Sequence, residues 1–138
     1  MPADFVDSNI WLYAFVQSGD PTKSATAQQL IQSISPIVST QVINEVCVNL
    51  LRKAAFTEEQ ITRLINSYYA KYRVVELDEL TLVLASELRQ RYSLSYWDGL
   101  IVASARRAGC TTLYSEDMNH GLRIDGTLII ANPFAATV

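Results

Sequence analysis

Three aspartates in this chain have the residue type and the spacing that a phosphodiester-cleaving site needs. Asp7 follows a short apolar segment, Asp98 lies at the start of an apolar helical run, and Asp117 follows another β-type segment. Carboxylate and water oxygens are the ligands that Mg²⁺ and Mn²⁺ prefer. A bound cation of this kind lowers the pKa of a water, orients it for in-line attack and stabilises charge on the leaving oxygen. The chemistry would be hydrolysis at phosphorus.

Two of these aspartates also have a purely structural interpretation. Asp7 could cap a helix that begins near Asn9, because aspartate is among the best N-cap residues. Asp98 falls in the pattern Ser95-x-x-Asp98, which is typical of a helix start. The residues after Asp98 are apolar or small on nearly every side, so this helix is predicted to be buried. A carboxylate at the head of a buried helix is costly unless it is paired or metal-bound, which favours a functional role for Asp98.

The residues alone leave two further acidic positions open. Asp117 could be a solvated acid in a turn, and its neighbour Glu116 would be the ligand if the turn were misplaced by one residue. Glu45 shares a predicted helix face with Gln41 and Asn49, which is the pattern of a solvent-exposed polar stripe. Periodicity therefore gives Glu45 no functional role.

Other catalytic schemes find little support. His120 is the only histidine, so a two-histidine ribonuclease mechanism is excluded within one chain, and we expect His120 to be a turn or partner-contact residue. No nucleophile-elbow motif and no phosphate-binding P-loop occur. The two cysteines, Cys47 and Cys110, make neither a disulfide framework nor a zinc site. We expect both to be small buried hydrophobic residues.

The composition indicates one domain spanning residues 1–138, with 49% hydrophobic residues. No segment approaches the roughly 20 apolar residues of a membrane span, and the start lacks a secretory pattern, so a cytoplasmic protein is expected. The net charge of −3 argues against a nucleic-acid partner, which usually needs a basic surface. If four of the 14 acids were bound to metal, the rest of the chain would carry a charge of +1, which is compatible with RNA but does not predict it.

Apolar β-type segments alternate with helical ones along the chain. Strands are predicted at residues 5–6, 36–38, 73–75, 111–114 and 128–131, and helices at 9–17, 22–34, 40–54, 57–70, 79–91 and 95–108. On the fifth helix Leu82, Ala85 and Leu88 should face inward. This alternation implies an α/β fold with a central parallel sheet of about five short strands and helices on both faces. Ligands bind beyond the carboxyl ends of such strands, where Asp7 and Asp117 are predicted.

Four segments resemble the motifs of PIN domains in order and spacing. They are FVDSNI (5–10), STQVINE (39–45), LSYWDGLIVASA (94–105) and LYSEDMNHG (113–121), and NPF (132–134) resembles the usual ending of the family. The resemblance implies one PIN domain with a Rossmann-like sheet and a metal-dependent nuclease activity. It assigns catalysis and metal binding to Asp7, Glu45, Asp98 and Asp117, with Asn9 and Ser115 as polar support. Ser115 stands where many members have threonine, which keeps the hydroxyl group.

The lack of appended modules makes the chain most similar to the toxin ribonucleases of VapC-type toxin–antitoxin pairs. That similarity implies an Mg²⁺- or Mn²⁺-dependent endoribonuclease leaving a 3′-hydroxyl and a 5′-phosphate. Asp7, Asp98 and Asp117 would hold the metal, and Glu45 would complete the site or orient the attacking water. It also implies a homodimer and a small cognate antitoxin that inhibits it. The basic residues that would hold RNA are not predicted.

Two alternatives remain at this stage. A PIN domain that has lost activity could serve as an RNA- or protein-binding module. A phosphoacceptor receiver domain also gathers acids and Mg²⁺ at strand ends, but it needs a lysine late in the chain, and the last lysine here is Lys71. The aromatic residues Trp11, Tyr96 and Trp97 could stack on bases, although core packing is their expected role.

Overall fold

The computed structural model describes residues 3–16 and 19–135 and contains a six-stranded sheet flanked by six helices. The strands are β1 (Asp4–Val6), β2 (Pro36–Ser39), β3 (Arg73–Val75), β4 (Thr112–Tyr114), β5 (Arg123–Ile124) and β6 (Leu128–Ala131). The helices are α1 (Ser8–Phe15), α2 (Pro21–Ser33), α3 (Thr40–Lys53), α4 (Glu58–Lys71), α5 (Glu79–Tyr92) and α6 (Tyr96–Arg107).

The strand order β3-β2-β1-β4-β6-β5 puts β1 in the middle of the sheet. β1 pairs in parallel with β2 on one side and with β4 on the other. The chain therefore builds the sheet outward through β2 and β3, and then returns to the far side of β1 to add β4 and β6. In α/β sheets a ligand crevice forms at such a reversal, beyond the carboxyl ends of the strands. Here that point lies between the ends of β1 and β4.

The fold class and its five parallel strands confirm the sequence prediction, and most element boundaries agree within two residues. One strand was missed: β5, which pairs antiparallel with β6. β5 is too short to produce an alternating pattern, but the turn after it contains Asp125 and Gly126, both with positive φ. Asp-Gly in this conformation is typical of hairpin turns. The predicted end of the first helix at residue 17 lies outside the described residues.

The core lies between the sheet and the helices, and α6 is its most buried helix. All residues of α6 from Gly99 to Ala105 are buried, as their composition predicted. On α5 the prediction holds for Ala85 and Leu88, but it is wrong for Leu82, which is 46% exposed. The periodicity placed Leu82 near the edge of the inward face, where only the tertiary contacts decide burial. No helix in the described ranges is long and apolar enough to cross a membrane.

Three residues with potentially reactive side chains are used structurally. Cys47 and Cys110 are both buried, as predicted, and loss of solvation raises the pKa of both thiols, that of Cys110 to about 12. Nδ1 of the exposed His120 accepts a hydrogen bond from the backbone N–H of Asn132 at 2.9 Å. His120 thus ties the turn after β4 to the segment after β6.

Candidate active site

Asp7 lies at the junction between β1 and α1. Its backbone N–H continues the β1–β4 ladder by donating to the carbonyl oxygen of Tyr114 at 2.9 Å. Its side chain is only 4% exposed and caps α1, where Oδ1 accepts from the N–H of Ser8 at 2.7 Å. The hydroxyl of Ser115, beyond the end of β4, donates to Oδ2 at 2.8 Å. The helix-capping interpretation of Asp7 is correct, and its position at the sheet reversal is correct as well.

Burial makes the ionised form of Asp7 unfavourable. The pKa of this carboxyl group is raised to about 7, chiefly by loss of solvation and to a smaller extent by the negative charges of Glu45 and Asp117. The hydrogen bonds from Ser115 and Ser8 act in the opposite direction. A cation next to Asp7 would remove much of this cost.

Glu45 reaches the same place from α3, which begins directly after β2. The hydroxyl of Ser8 donates to Oε2 of Glu45 at 3.2 Å and lies 3.5 Å from Oδ1 of Asp7, so Ser8 connects the two acids. The side-chain amide of Gln41 donates to Oε1 of Glu45 at 2.9 Å. Glu45 is half-buried and Gln41 is buried. The sequence interpretation of a solvent-exposed stripe is therefore wrong at this end of α3.

Asp98 stands in the first turn of α6. Its backbone N–H donates to the hydroxyl of the N-cap residue Ser95 at 3.2 Å, which confirms the predicted helix start. Its side chain is half-buried. Loss of solvation is the main cause that raises the pKa of Asp98, and the negative charge of Asp117 adds to it.

The turn after β4 separates the roles of Glu116 and Asp117. Asp117 is exposed, and its Oδ2 accepts from the side-chain amide of Asn9 at 2.8 Å. Glu116 instead forms an ion pair with Lys23 and accepts from the hydroxyl of Tyr13 at 2.8 Å. Because Glu116 is already neutralised by a cation, Asp117 is the member of the pair whose charge acts on Asp7 and Asp98.

The four candidate acids thus form one electrostatic group at the carboxyl end of the sheet. Asp7 is influenced by Glu45 and Asp117, and Asp98 by Asp117. In the described ranges none of them is within ion-pair distance of a lysine or arginine. As placed, however, no three acidic, histidine or cysteine side chains of the described residues form a group that could hold a metal ion. The carboxylate oxygens of Asp7, Glu45 and Asp117 instead accept hydrogen bonds from Ser8, Asn9, Gln41 and Ser115.

The donor set still fits a hard divalent cation chemically. All four candidate ligands are carboxylates, the oxygen type that Mg²⁺ and Mn²⁺ take. Two of them, Asp7 and Asp98, are desolvated, and no described residue supplies a compensating positive charge. Buried acids in such surroundings are candidates for function.

Sequence reasoning missed two polar residues that organise the site, Ser8 and Gln41. Sequence patterns predict no specific role for Ser8, and they place Gln41 on a solvent-exposed face of its helix. A usable signal was present for Gln41, because it stands four residues before Glu45 and such pairs lie side by side on a helix. The burial of Gln41 could not be inferred, since its second partner, the carbonyl oxygen of Trp97 at 3.3 Å, belongs to α6.

The aromatic residues behave in two different ways. Trp11 is buried against Tyr68 and Tyr72, which confirms its predicted core role. The same prediction is wrong for Tyr96 and Trp97, which are 56% and 63% exposed in the first turn of α6. The first turn of α6 projects into solvent although the rest of the helix is buried. The apolar composition of α6 gives no sign of this difference.

Comparisons with known proteins agree with this architecture. The family model of the PIN domain matches residues 5–121. A toxin–antitoxin complex from Klebsiella pneumoniae contains a similar chain, with 20% identity, coverage of 96% of this chain and 99% of that chain, and a TM-score of 0.73. VapC20 of Mycobacterium tuberculosis, a toxin that cleaves the sarcin–ricin loop, shares 21% identity, with 83% and 91% coverage and a TM-score of 0.68.

A third structure, VapBC2 of Rickettsia felis bound to a DNA fragment from their promoter, shares 18% identity, with 94% and 98% coverage and a TM-score of 0.66. A search of curated proteins finds no match. At these identities the solved structures establish the fold alone.

Proposed function

Because this chain belongs to the PIN domain family, we propose that it is a metal-dependent endoribonuclease and the toxin of a toxin–antitoxin pair. The observation that carries the proposal is the electrostatic group of Asp7, Glu45, Asp98 and Asp117. These four acids come from four separate parts of the chain, yet their charges influence one another at the sheet reversal. Helix capping alone does not require these four acids to lie close together.

The proposed cofactor is Mg²⁺ or Mn²⁺, held by these four carboxylates. When bound, the cation supplies positive charge at the phosphate and acidifies a water ligand. The chain's own contribution is positioning: Ser115 and the N–H of Ser8 fix the carboxylate of Asp7, and Asn9 fixes that of Asp117. Glu45, held by Ser8 and Gln41, would orient the attacking water and accept its proton.

The proposed partners are an RNA substrate, a small antitoxin protein and a second copy of the chain, in the cytoplasm. The similar solved structures support this, since one is a toxin–antitoxin complex and another is a toxin that cleaves the sarcin–ricin loop. The competing candidate is a catalytically silent PIN-type RNA- or protein-binding module. The lack of a three-ligand group within the described residues, as placed, favours that alternative and makes a direct assay necessary.

The deciding experiment incubates the purified chain with end-labelled single-stranded RNA and either Mg²⁺, Mn²⁺ or EDTA. We expect cleavage with metal only, with product ends that carry a 3′-hydroxyl and a 5′-phosphate. Asp98→Asn should lower the cleavage rate by more than about 100-fold. Mutating a residue that only supports a metal ligand typically lowers activity by about 10- to 100-fold, and loss of the ligand itself should lower it further. Glu59→Gln is the matched control, since Glu59 is an exposed acid whose ion-pair partner within the described residues is Arg63.

Two results would contradict the proposal. Cleavage that survives both EDTA and Asp98→Asn would indicate a contaminant or a metal-independent mechanism. RNA binding without any cleavage in either metal would identify the silent binding module.

A further inference from the structure

An exposed pair of aromatic rings, here called the aromatic shelf, lies beside the candidate active site. It consists of Tyr96 and Trp97, whose ring centroids are 5.2 Å apart at an interplanar angle of 77°. Trp97 also borders a cavity of about 480 Å³. The other residues that line this cavity are Thr40, Gln41, Asn44, Glu45 and Leu77. An exposed indole therefore shares a recess with one of the candidate catalytic acids and precedes another, Asp98, in the chain.

The shelf is fixed to the active site by one amide. The side-chain nitrogen of Gln41 donates both to the carbonyl oxygen of Trp97 at 3.3 Å and to Glu45 at 2.9 Å. Gln41 is 8% exposed, and its amide oxygen has no hydrogen-bond partner among the described residues. Leaving a buried oxygen unpaired costs stability. The same amide group, however, fixes the position of Trp97 relative to Glu45.

A cation supports the shelf from α5. The guanidinium carbon of Arg89 lies 4.2 Å from the centre of the Tyr96 ring, and Nη1 donates to the carbonyl oxygen of Tyr96 at 3.1 Å. Arg89 can approach this closely because residue 99 is glycine: a Cβ at that position would lie 2.5 Å from Cγ of Arg89. The shelf thus combines two aromatic faces with a permanent positive charge.

We propose that Trp97 is a base-stacking residue of the RNA site, on which a nucleobase near the scissile phosphate rests. This inference depends on the proposed function and deepens it. Aromatic side chains bind single-stranded nucleic acid by stacking on bases of any sequence, and a nearby arginine adds affinity for the backbone. An RNA strand must approach Glu45 and Asp98 to be cut, and Trp97 lines a cavity with Glu45 and directly precedes Asp98 in the chain.

A second copy of the chain is the other occupant that the surface allows, because Leu80 and Val83 of α5 are also exposed. The cavity favours RNA. Trp97 and Glu45 line the same cavity, and Glu45 is a proposed catalytic acid that the substrate must reach.

The first test uses the difference between the two tryptophans. Trp11 is 1% exposed and Trp97 is 63% exposed, so a contact with RNA should change the fluorescence of Trp97 alone. In an Asp98→Asn background with Mg²⁺, titration with a mixed-sequence single-stranded RNA 12-mer should quench the emission. The same titration of the Asp98→Asn/Trp97→Phe double variant should give no quenching. RNA that binds without changing the emission, or that does not bind at all, overturns the proposal.

The second test measures affinity and turnover in an otherwise unaltered chain. Trp97→Ala should weaken RNA binding and raise KM by about 5- to 150-fold, the usual range for losing one stacked base. Because the indole is proposed to bind rather than react, kcat at saturating RNA should change much less. Trp97→Phe keeps an aromatic ring, so its KM should lie between those of the wild type and Trp97→Ala. Tyr69→Ala is the matched control, since Tyr69 is an exposed aromatic on α4 that does not line the cavity.

The outcomes separate this inference from the proposed function. Cleavage by the wild type with an unchanged KM in Trp97→Ala would contradict the stacking role of Trp97 but not the proposed nuclease function. Quenching of Trp97 by RNA without any cleavage would contradict the nuclease function but not the stacking role. A lower molar mass of Trp97→Ala in light scattering, with unchanged RNA binding, would assign the shelf to contact with a second copy.

Discussion

Asp7 ends β1 with its carboxyl group almost entirely out of solvent. Its pKa in the folded protein, about 7, is higher than the ordinary value of 3.8 that applies to the unfolded chain. The folded state therefore holds the Asp7 proton more tightly, and Asp7 favours folding most at low pH. That contribution is lost as the pH rises from about 4 through about 7.

We predict that Asp7→Asn stabilises the protein in EDTA near neutral pH and flattens this part of its pH dependence. The upper limit of the gain is about 4 kcal/mol, at 1.4 kcal/mol for each pKa unit. Urea unfolding at pH 5, 6, 7 and 8 measures it. Mg²⁺ should stabilise the wild type at pH 8 and have little effect on Asp7→Asn. Parallel stability curves for the two proteins would refute the prediction.

How much of the site the sequence could reveal differs from one residue to the next. Asp7 and Asp98 could be recognised from the local sequence. Each lies at the start of a predictable helix, where burying a charged carboxylate costs free energy. Glu45 came only from the family resemblance. Gln41 and Trp97 were misjudged because their burial depends on how α3 meets the first turn of α6, a contact between segments 56 residues apart. The assigned roles of the four acids remain predictions until they are assayed.

At the scale of elements, the contact between α5 and α6 positions both Asp98 and the aromatic shelf. The two helices pack closely where Arg89 crosses Gly99. Here sequence patterns gave the helices and their caps, such as Ser95 for α6 and Thr57 for α4. They could not reveal that the stem of Arg89 occupies the space over Gly99.

We predict that Gly99→Ala lowers the free energy of unfolding by about 1–3 kcal/mol, because the added methyl group overpacks this contact. In an Arg89→Ala background the same change should be neutral or stabilising by up to about 1 kcal/mol, since alanine is the better helix former. Urea unfolding of the four proteins forms a double-mutant cycle. Equal effects in both backgrounds would show that Arg89 is not the obstacle.

At the scale of the whole molecule, the expectation of one domain over residues 1–138 stays a prediction. Cys47 on α3 and Cys110 before β4 are both buried members of the hydrophobic core. If the chain unfolds as one unit, iodoacetamide should modify both thiols at the same slow rate, set by global unfolding. Peptide mass spectrometry of the wild type measures each rate. A much faster reaction at one cysteine would show that its surroundings open independently.

β1 has neighbours from opposite parts of the chain: β2 follows it within about 30 residues, whereas β4 comes more than 100 residues later. During translation the ribosome therefore delivers β1, β2 and β3 first and leaves one edge of β1 open. Asp98 and Asp117 also follow β3 in the chain. If the chain is the ribonuclease proposed above, this order keeps the proposed metal site incomplete until both Asp98 and Asp117 have been synthesised.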